Sequence, residues 1–190
     1  MPVVGARKPF ISIEDYLAGE ADGEQRHDYI DGQVYAMTGA SRRHGLIASA
    51  LTHAMVPAAR RKGCQLFVAD MKVRVDIAGK TSFYYPDLLL SCDPQDQGTH
   101  FSTAPCLLVE VLSESTARVD RREKLLAYQT LPSLQGYLLV EQDIMRVELY
   151  RRENGWRVEE FEQGEVALPC LDMSLAVLDI YQDVEFPVGQ

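Results

Sequence analysis

Two acidic residues stand in stretches where acids are rare. Asp87 lies in Tyr84-Tyr85-Pro86-Asp87-Leu88-Leu89-Leu90, and Glu110 in Leu107-Leu108-Val109-Glu110-Val111-Leu112. Both runs have the near-continuous apolar character of strands buried on both faces. An ionised carboxylate in such a setting is costly unless a cation or a donor meets it, and Asp and Glu are almost never fully buried unpaired. A divalent cation shared at the strand ends would answer that cost. Mg²⁺ takes oxygen ligands and keeps several waters, and Mn²⁺ suits the same donors. A bound cation polarises a phosphoryl oxygen and activates water. The residues alone leave a second reading open, in which each acid caps a loop or pairs with an arginine.

Other side chains could join that chemistry. Asp120, Lys124 and Tyr128 are spaced four apart, so they share one helix face. Leu125, Tyr128 and Leu131 form an adjoining apolar stripe that should pack on a sheet. The Lys124 stem can then run along the sheet and carry its ammonium to the strand ends. There it would orient water or stabilise charge on a phosphate. The alternative is a surface pair with Asp120. His44 opens the longest helical segment, where it either contacts a phosphate, orients a site acid or serves as a structural cap. Gln33, Ser113 and Thr116 can donate hydrogen bonds nearby, with Ser113 also suited to turning the chain after its strand.

These residues need elements to hold them. Ser12 reads as the N-cap of a short helix over Ile11 to Leu17, with Asp15 in the N3 place. Residues 18–25 are polar and contain Gly19 and Gly23, so they read as a loop. His27 to Met37 reads as a hairpin around Asp31-Gly32. Ser41 caps a long helix to about Arg61, with Pro57 as a kink or early end and Gly63 as its close. Cys64 to Ile77 reads as one strand or two with a break, with Lys72, Arg74 and Asp76 opposite Val73 and Val75. Ala78-Gly79-Lys80 is a turn. Phe83 to Leu90, Cys106 to Leu112 and Gly136 to Val140 are buried strands, and the acid-rich segment 93–103 is a loop. Arg121 to Leu131 is a helix ended by Pro132. Arg146 to Arg151 and Trp156 to Phe161 form a hairpin around Asn154-Gly155, and Asp172 starts a last short helix or turn. This order predicts an α/β, mixed α+β fold with a central mixed sheet flanked by helices and an additional C-terminal hairpin.

The chain has 190 residues, 46% hydrophobic and 25% charged, which suits a single globular domain over 1–190. No apolar stretch approaches the length needed to cross a bilayer, and the first ten residues lack the apolar centre of a secretory signal. A cytoplasmic location follows, and with it the expectation that Cys64, Cys92, Cys106 and Cys170 are reduced thiols. The formal net charge of −9 argues against a broadly basic nucleic-acid surface, though basic residues cluster at Arg42-Arg43, Arg60-Arg61-Lys62 and Arg118 to Lys124. No phosphate loop and no Gly-x-Ser-x-Gly elbow is present.

Pro86-Asp87, then Glu110-Val111-Leu112-Ser113, then Asp120 and Lys124 together resemble the PD-(D/E)xK nuclease superfamily, and more narrowly its Uma-type restriction-endonuclease-like family. Tyr29-Ile30-Asp31-Gly32, His44, the stretch from Ser113 to Thr116, and Tyr128 support the resemblance, which spans about Ile11 to Val140. It implies a restriction-endonuclease-like core and an Mg²⁺-dependent endonuclease that hydrolyses DNA phosphodiester bonds, with Asp87 and Glu110 as metal ligands. A lysine normally follows the second acid by two residues, and here that place is Leu112. Lys124 is then the substitute. Family members carry an acid just before the Tyr-Ile-Asp-Gly-like segment, which makes Asp28 a third metal-site acid, acting through water; from the residues alone it reads as a solvated acid at a strand start. The broken pattern keeps a second function open, a catalytically degenerate nuclease fold serving as a nucleic-acid-binding or assembly module. The apolar content of the late hairpin and C-terminal segment would suit a homodimer.

Overall fold

The computed structural model describes residues 9–37 and 39–186. Local chemistry accounts for several boundaries. Helix α1 is Ile13–Asp22, and its N-cap Ser12 accepts a hydrogen bond from the Asp15 amide. Strands β1 (His27–Ile30) and β2 (Gln33–Ala36) form the expected hairpin. Its turn places Asp31 and Gly32 at φ 45° and 86°, a pair of left-handed conformations that Asp-Gly tolerates. Helix α2 (Arg42–Lys62) starts at Ser41, whose side chain accepts from the His44 amide, and ends on left-handed Gly63. It runs unbroken through Pro57, so the expected early end does not occur.

The rest of the chain builds two main sheets. Strands β3 (Gln65–Val68), β4 (Lys72–Ile77), β5 (Lys80–Tyr84), β6 (Leu88–Ser91), β7 (Phe101–Ser102) and β8 (Pro105–Leu112) precede a helical stretch over 117–128. That stretch comprises α3 (Ala117–Val119), a π turn (Asp120–Lys124) and α4 (Leu125–Tyr128). Then come β9 (Gly136–Glu141), β10 (Val147–Arg151), β11 (Val158–Phe161), β12 (Glu165–Leu168), β13 (Met173–Ala176) and α5 (Val177–Ile180). The central sheet has the order β11-β10-β9-β8-β6-β3, and a second sheet has the order β2-β1-β5-β4-β7. The central sheet is mixed, because β8 and β9 pair in parallel while its other neighbours are antiparallel.

Apolar side chains cover both faces of that sheet, as near-continuous hydrophobic strands require. On one face Leu88, Leu90, Val109, Val111, Leu138 and Val140 share a core with Ile47, Leu51 and Met55 of α2. On the other, Leu89, Leu108, Leu112 and Leu139 pack with Val73 and Val75 of β4 and with Tyr128 and Leu131. The mixed α+β architecture and the helix-flanked sheet agree with the expectation, and the late hairpin β10-β11 extends the central sheet at its edge.

Besides the short strand β7 inside the expected loop 93–103, four expectations are corrected. The run Phe83 to Leu90 is two strands in different sheets, with Tyr85, Pro86 and Asp87 forming a corner between them. Pro86 lacks the amide that a continuous central strand needs. Part of 18–25 is helix, because α1 continues through Gly19 to Asp22. Residues 173–176 are a strand paired with β12 rather than the start of a helix. The four cysteines pair as Cys64–Cys92 and Cys106–Cys170. Linear spacing gave no sign of those pairs, which join segments brought together only by the sheet.

Candidate active site

The antiparallel register that pairs Leu88 with Val109 brings Asp87, one residue before β6, beside Glu110 on β8. The carboxylates enter this place from different directions. Glu110 shares the face of Leu108 and Leu112, toward the helical stretch over 117–128. Asp87 lies beyond the last ladder pair, where its Oδ2 accepts the Val111 amide at 2.6 Å. Its Oδ1 lies 2.9 Å from His44 Nε2. The cap at Ser41 aims the first turn of α2 at this carboxylate. Burial alone would lower the His44 pKa, yet the hydrogen bond and charge of Asp87 raise it on balance.

The helical stretch supplies a buried cation. Lys124 is 6% exposed, and its Nζ donates to Glu110 Oε1 at 2.8 Å. It also lies 3.0 Å from Asp120 Oδ1. The Tyr128 hydroxyl donates to the same Glu110 oxygen at 3.2 Å. Among the described residues no hydrogen bond reaches Glu110 Oε2. The pair is tightly coupled. Lys124 is held charged, because the acids Glu110, Asp28 and Asp120 outweigh its burial. Burial raises the Glu110 pKa well above the ordinary carboxylate range, and Asp120 and Asp87 add to this while Lys124 opposes it. Burial likewise raises Asp28, partly offset by the Lys124 charge and the Tyr85 amide, which Asp28 Oδ1 accepts at 3.0 Å.

Four acids, Asp28, Asp87, Glu110 and Asp120, thus gather around Lys124 and His44, so acids outnumber basic partners. Asp120 Oδ1 is buried without an aligned hydrogen bond, although the ammonium is nearby. Among the described residues no group of three or more His, Cys, Asp or Glu side chains forms a ready-made metal cage. Mg²⁺ does not require one, since it is commonly held by one or two carboxylates, waters and substrate phosphates. The donor set is all oxygen apart from His44, and its excess of acids over bases fits a hard divalent cation.

The sequence-derived candidates therefore divide. Asp87, Glu110, Lys124, Tyr128, His44 and Asp28 converge. Ser113 does not reach the acids: its Oγ lies 3.1 Å from Thr116 Oγ1 and 3.0 Å from Ser115 Oγ, so it shapes the turn after β8. Gln33 donates to the Gly32 carbonyl at 3.1 Å. Leu112, in the family's lysine place, is 1% exposed in the apolar core. Lys124 is not the surface pair that helix spacing also allowed.

Sequence reading missed a second polar cluster behind the corner. Lys72, expected on the polar side of its strand, is buried and donates to the Tyr85 hydroxyl at 3.0 Å. That hydroxyl donates to Glu20 Oε2 at 2.6 Å, and Glu20 Oε1 lies 3.0 Å from His27 Nδ1. The partners are remote in sequence, and Glu20 fell in a segment read as loop.

The Uma2 family, described as "Putative restriction endonuclease", matches residues 13–180. The chain is 35% identical to "Uncharacterized protein slr1290" of Synechocystis sp., over 94% of this chain and 95% of the relative. It is 32% identical to "Uncharacterized protein sll1609" of the same organism, over 84% and 92%. The fold is similar to the crystal structure of "a putative nuclease belonging to DUF820" from Anabaena variabilis, with a TM-score of 0.74 at 17% identity, covering 90% of this chain and 98% of that one.

Proposed function

The chain belongs to the Uma2 family, and from that premise we propose that it is an Mg²⁺-dependent endonuclease that hydrolyses DNA phosphodiester bonds. The observation that carries this reading is the 2.8 Å contact between Lys124 Nζ and Glu110 Oε1. It supports a cation beside the acid pair even though the strand position two residues after Glu110 is Leu112.

Asp87 and Glu110 would hold the metal, with Asp28, whose charge acts on Lys124, joining through water. The bound ion would supply Lewis-acid polarisation of a phosphoryl oxygen and a more acidic water. The Val111 amide and His44 fix the two oxygens of Asp87. Tyr128 and Lys124 fix Glu110. The Lys124 ammonium stabilises charge developing on the phosphate or orients the attacking water. The family description favours DNA as substrate. A homodimer would bring two such sites to the two strands of a duplex, and the cytoplasm is the compartment proposed. No helix among the described residues is long and apolar enough to cross a membrane.

The test is incubation of the purified protein with linear, supercoiled and single-stranded DNA in Mg²⁺ or Mn²⁺. Cleavage that disappears in Asp87→Ala and Glu110→Gln supports the reading. Cleavage that persists in both overturns it. Absence of cleavage together with absence of Mn²⁺ binding by calorimetry favours the degenerate binding module.

A further inference from the structure

We propose that the buried chain Glu20–Tyr85–Lys72 is a positioning device that sets where Asp87 and Asp28 stand. Its functional consequence rests on the metal-site reading above, while its structural claim does not.

The corner Tyr85-Pro86-Asp87 leaves one sheet and enters the other, so no strand ladder holds it. Four contacts do. The Tyr85 amide donates to Asp28 Oδ1 at 3.0 Å. The Asp87 carbonyl accepts from the Ala69 amide at 2.8 Å. Asp87 Oδ2 accepts from the Val111 amide. The fourth is the Tyr85 side chain, which enters the second polar cluster. There its hydroxyl accepts from Lys72 and donates to Glu20, filling both of its roles. Glu20 is tied in turn to His27, through both the ring and the backbone amide. His27 is the residue before Asp28.

The cluster thus grips both sides of the corner. Lys72 holds it from β4, three residues after Ala69. Glu20 holds it from α1 and also holds the start of β1, from which Asp28 projects. Three of these side chains, Glu20, Lys72 and Tyr85, are at most 5% exposed. A solvent-facing stability role would not require a lysine and a glutamate to be buried on either side of one hydroxyl. Outer-shell groups of this kind commonly change metal affinity when removed.

Two readouts test the inference. The first is amide hydrogen exchange in metal-free protein, comparing wild type with Tyr85→Phe. Because Tyr85→Phe leaves Lys72 and Glu20 without a shared partner and could unfold the chain, the triple variant Glu20→Gln/Tyr85→Phe/Lys72→Met removes charges and donors together. In either variant that folds, protection of the Val111 and Tyr85 amides should fall about tenfold more than that of other β8 amides. The second readout is the Mn²⁺ dissociation constant, expected to weaken about 10- to 100-fold. Val166→Ala, a core substitution in the β12-β13 hairpin that leaves the polar cluster intact, should lower the melting temperature without a selective loss of protection at Val111 and Tyr85 or a change in Mn²⁺ affinity. Unchanged protection at Val111 and Tyr85 in the folded variants overturns the proposal. Localised loss of protection with unchanged Mn²⁺ affinity overturns its functional part. Wild-type protein that binds no Mn²⁺ overturns the metal reading instead, and the exchange comparison still decides the structural claim.

Discussion

His44 Nε2 lies 2.9 Å from Asp87 Oδ1, which ties the first turn of a 21-residue helix to a carboxylate in the corner between two sheets. Through this contact a titrating imidazole and a candidate metal ligand share one hydrogen bond, so the stability of the metal-free protein must follow pH. His44, Asp28 and Glu110 all have raised pKa values in the folded state. The native form then holds protons that the unfolded chain has released, and their stabilisation is lost as pH rises through the folded values. Asp76 and Asp96 act oppositely, through lowered values, and their contribution is already complete above the ordinary carboxylate range. The metal-free melting temperature should therefore decline as pH rises above the ordinary carboxylate range and on through the ordinary imidazole value. Thermal unfolding at fixed ionic strength checks this, and a melting temperature that climbs across the interval contradicts it.

Divalent cation should reverse that trend. Asp28 and Glu110 must ionise to serve as ligands, so binding releases protons. Mn²⁺ affinity should rise with pH across the same interval. Calorimetry in two buffers of different ionisation enthalpy should report a net proton release, and a buffer-independent enthalpy would count against the assignment.

Lys124→Met should strip the acid cluster of its buried cation. Leaving buried charge unpaired typically costs about 3–5 kcal/mol, and loss of a charge-stabilising donor lowers kcat roughly 10²- to 10³-fold. Leu112 shares a strand face with Glu110, so adding Leu112→Lys to Lys124→Met should restore part of both stability and cleavage. Denaturant unfolding and a cleavage time course provide the two measurements. Full activity in Lys124→Met alone would remove the lysine from the mechanism.

Arg42, Arg118 and Arg122 lie on the segments that carry His44 and Lys124, and none of them pairs with an acid among the described residues. Each that contacts a backbone phosphate should lower the salt dependence of DNA binding by about one unit of log slope when changed to Ala. Fluorescence anisotropy across a salt series, with a catalytically silent Glu110→Gln background, measures this. Arg60 and Arg61, at the far end of α2, should leave the slope unaltered.

The paired cysteines give a redox prediction. Cys64–Cys92 spans 28 residues and Cys106–Cys170 spans 64. Chain-entropy reasoning assigns roughly 3.5 and 4 kcal/mol to loops of these sizes. Dithiothreitol should lower the melting temperature, with the larger share lost in Cys106→Ser/Cys170→Ser. Such bonds are rare in a reducing cytosol, so thiol trapping at the moment of cell lysis also tests the proposed compartment.

Sequence legibility followed the range of the forces involved. Ser12, Ser41, Gly63 and Asp31-Gly32 act on their own neighbours, and each does in the structure what its type predicts. The acid pair was legible because burial of charge is anomalous wherever it falls. Lys124 was legible as a candidate, yet spacing could not separate a buried ammonium from a surface pair, since that depends on where the sheet lies. Pro86 was an available signal for the corner, hidden by the apolar residues around it. Glu20, Lys72 and the cysteine pairs depend on contacts 13 to 65 residues apart, which no local pattern encodes.

The π turn over Asp120–Lys124 makes the site sensitive to counting. A π turn closes its hydrogen bond over one residue more than an α turn, and each residue of an α-helix advances the helix by about 100°. Removing one residue from this turn would rotate Lys124 and Tyr128 together relative to Asp120, whatever side chains were kept. Substitutions at exposed positions such as Arg122, Glu123 or Leu126 preserve that count. The helix therefore tolerates changes of spelling far better than changes of length, and in homologous chains the number of residues between Asp120 and Lys124 should vary less than their identity.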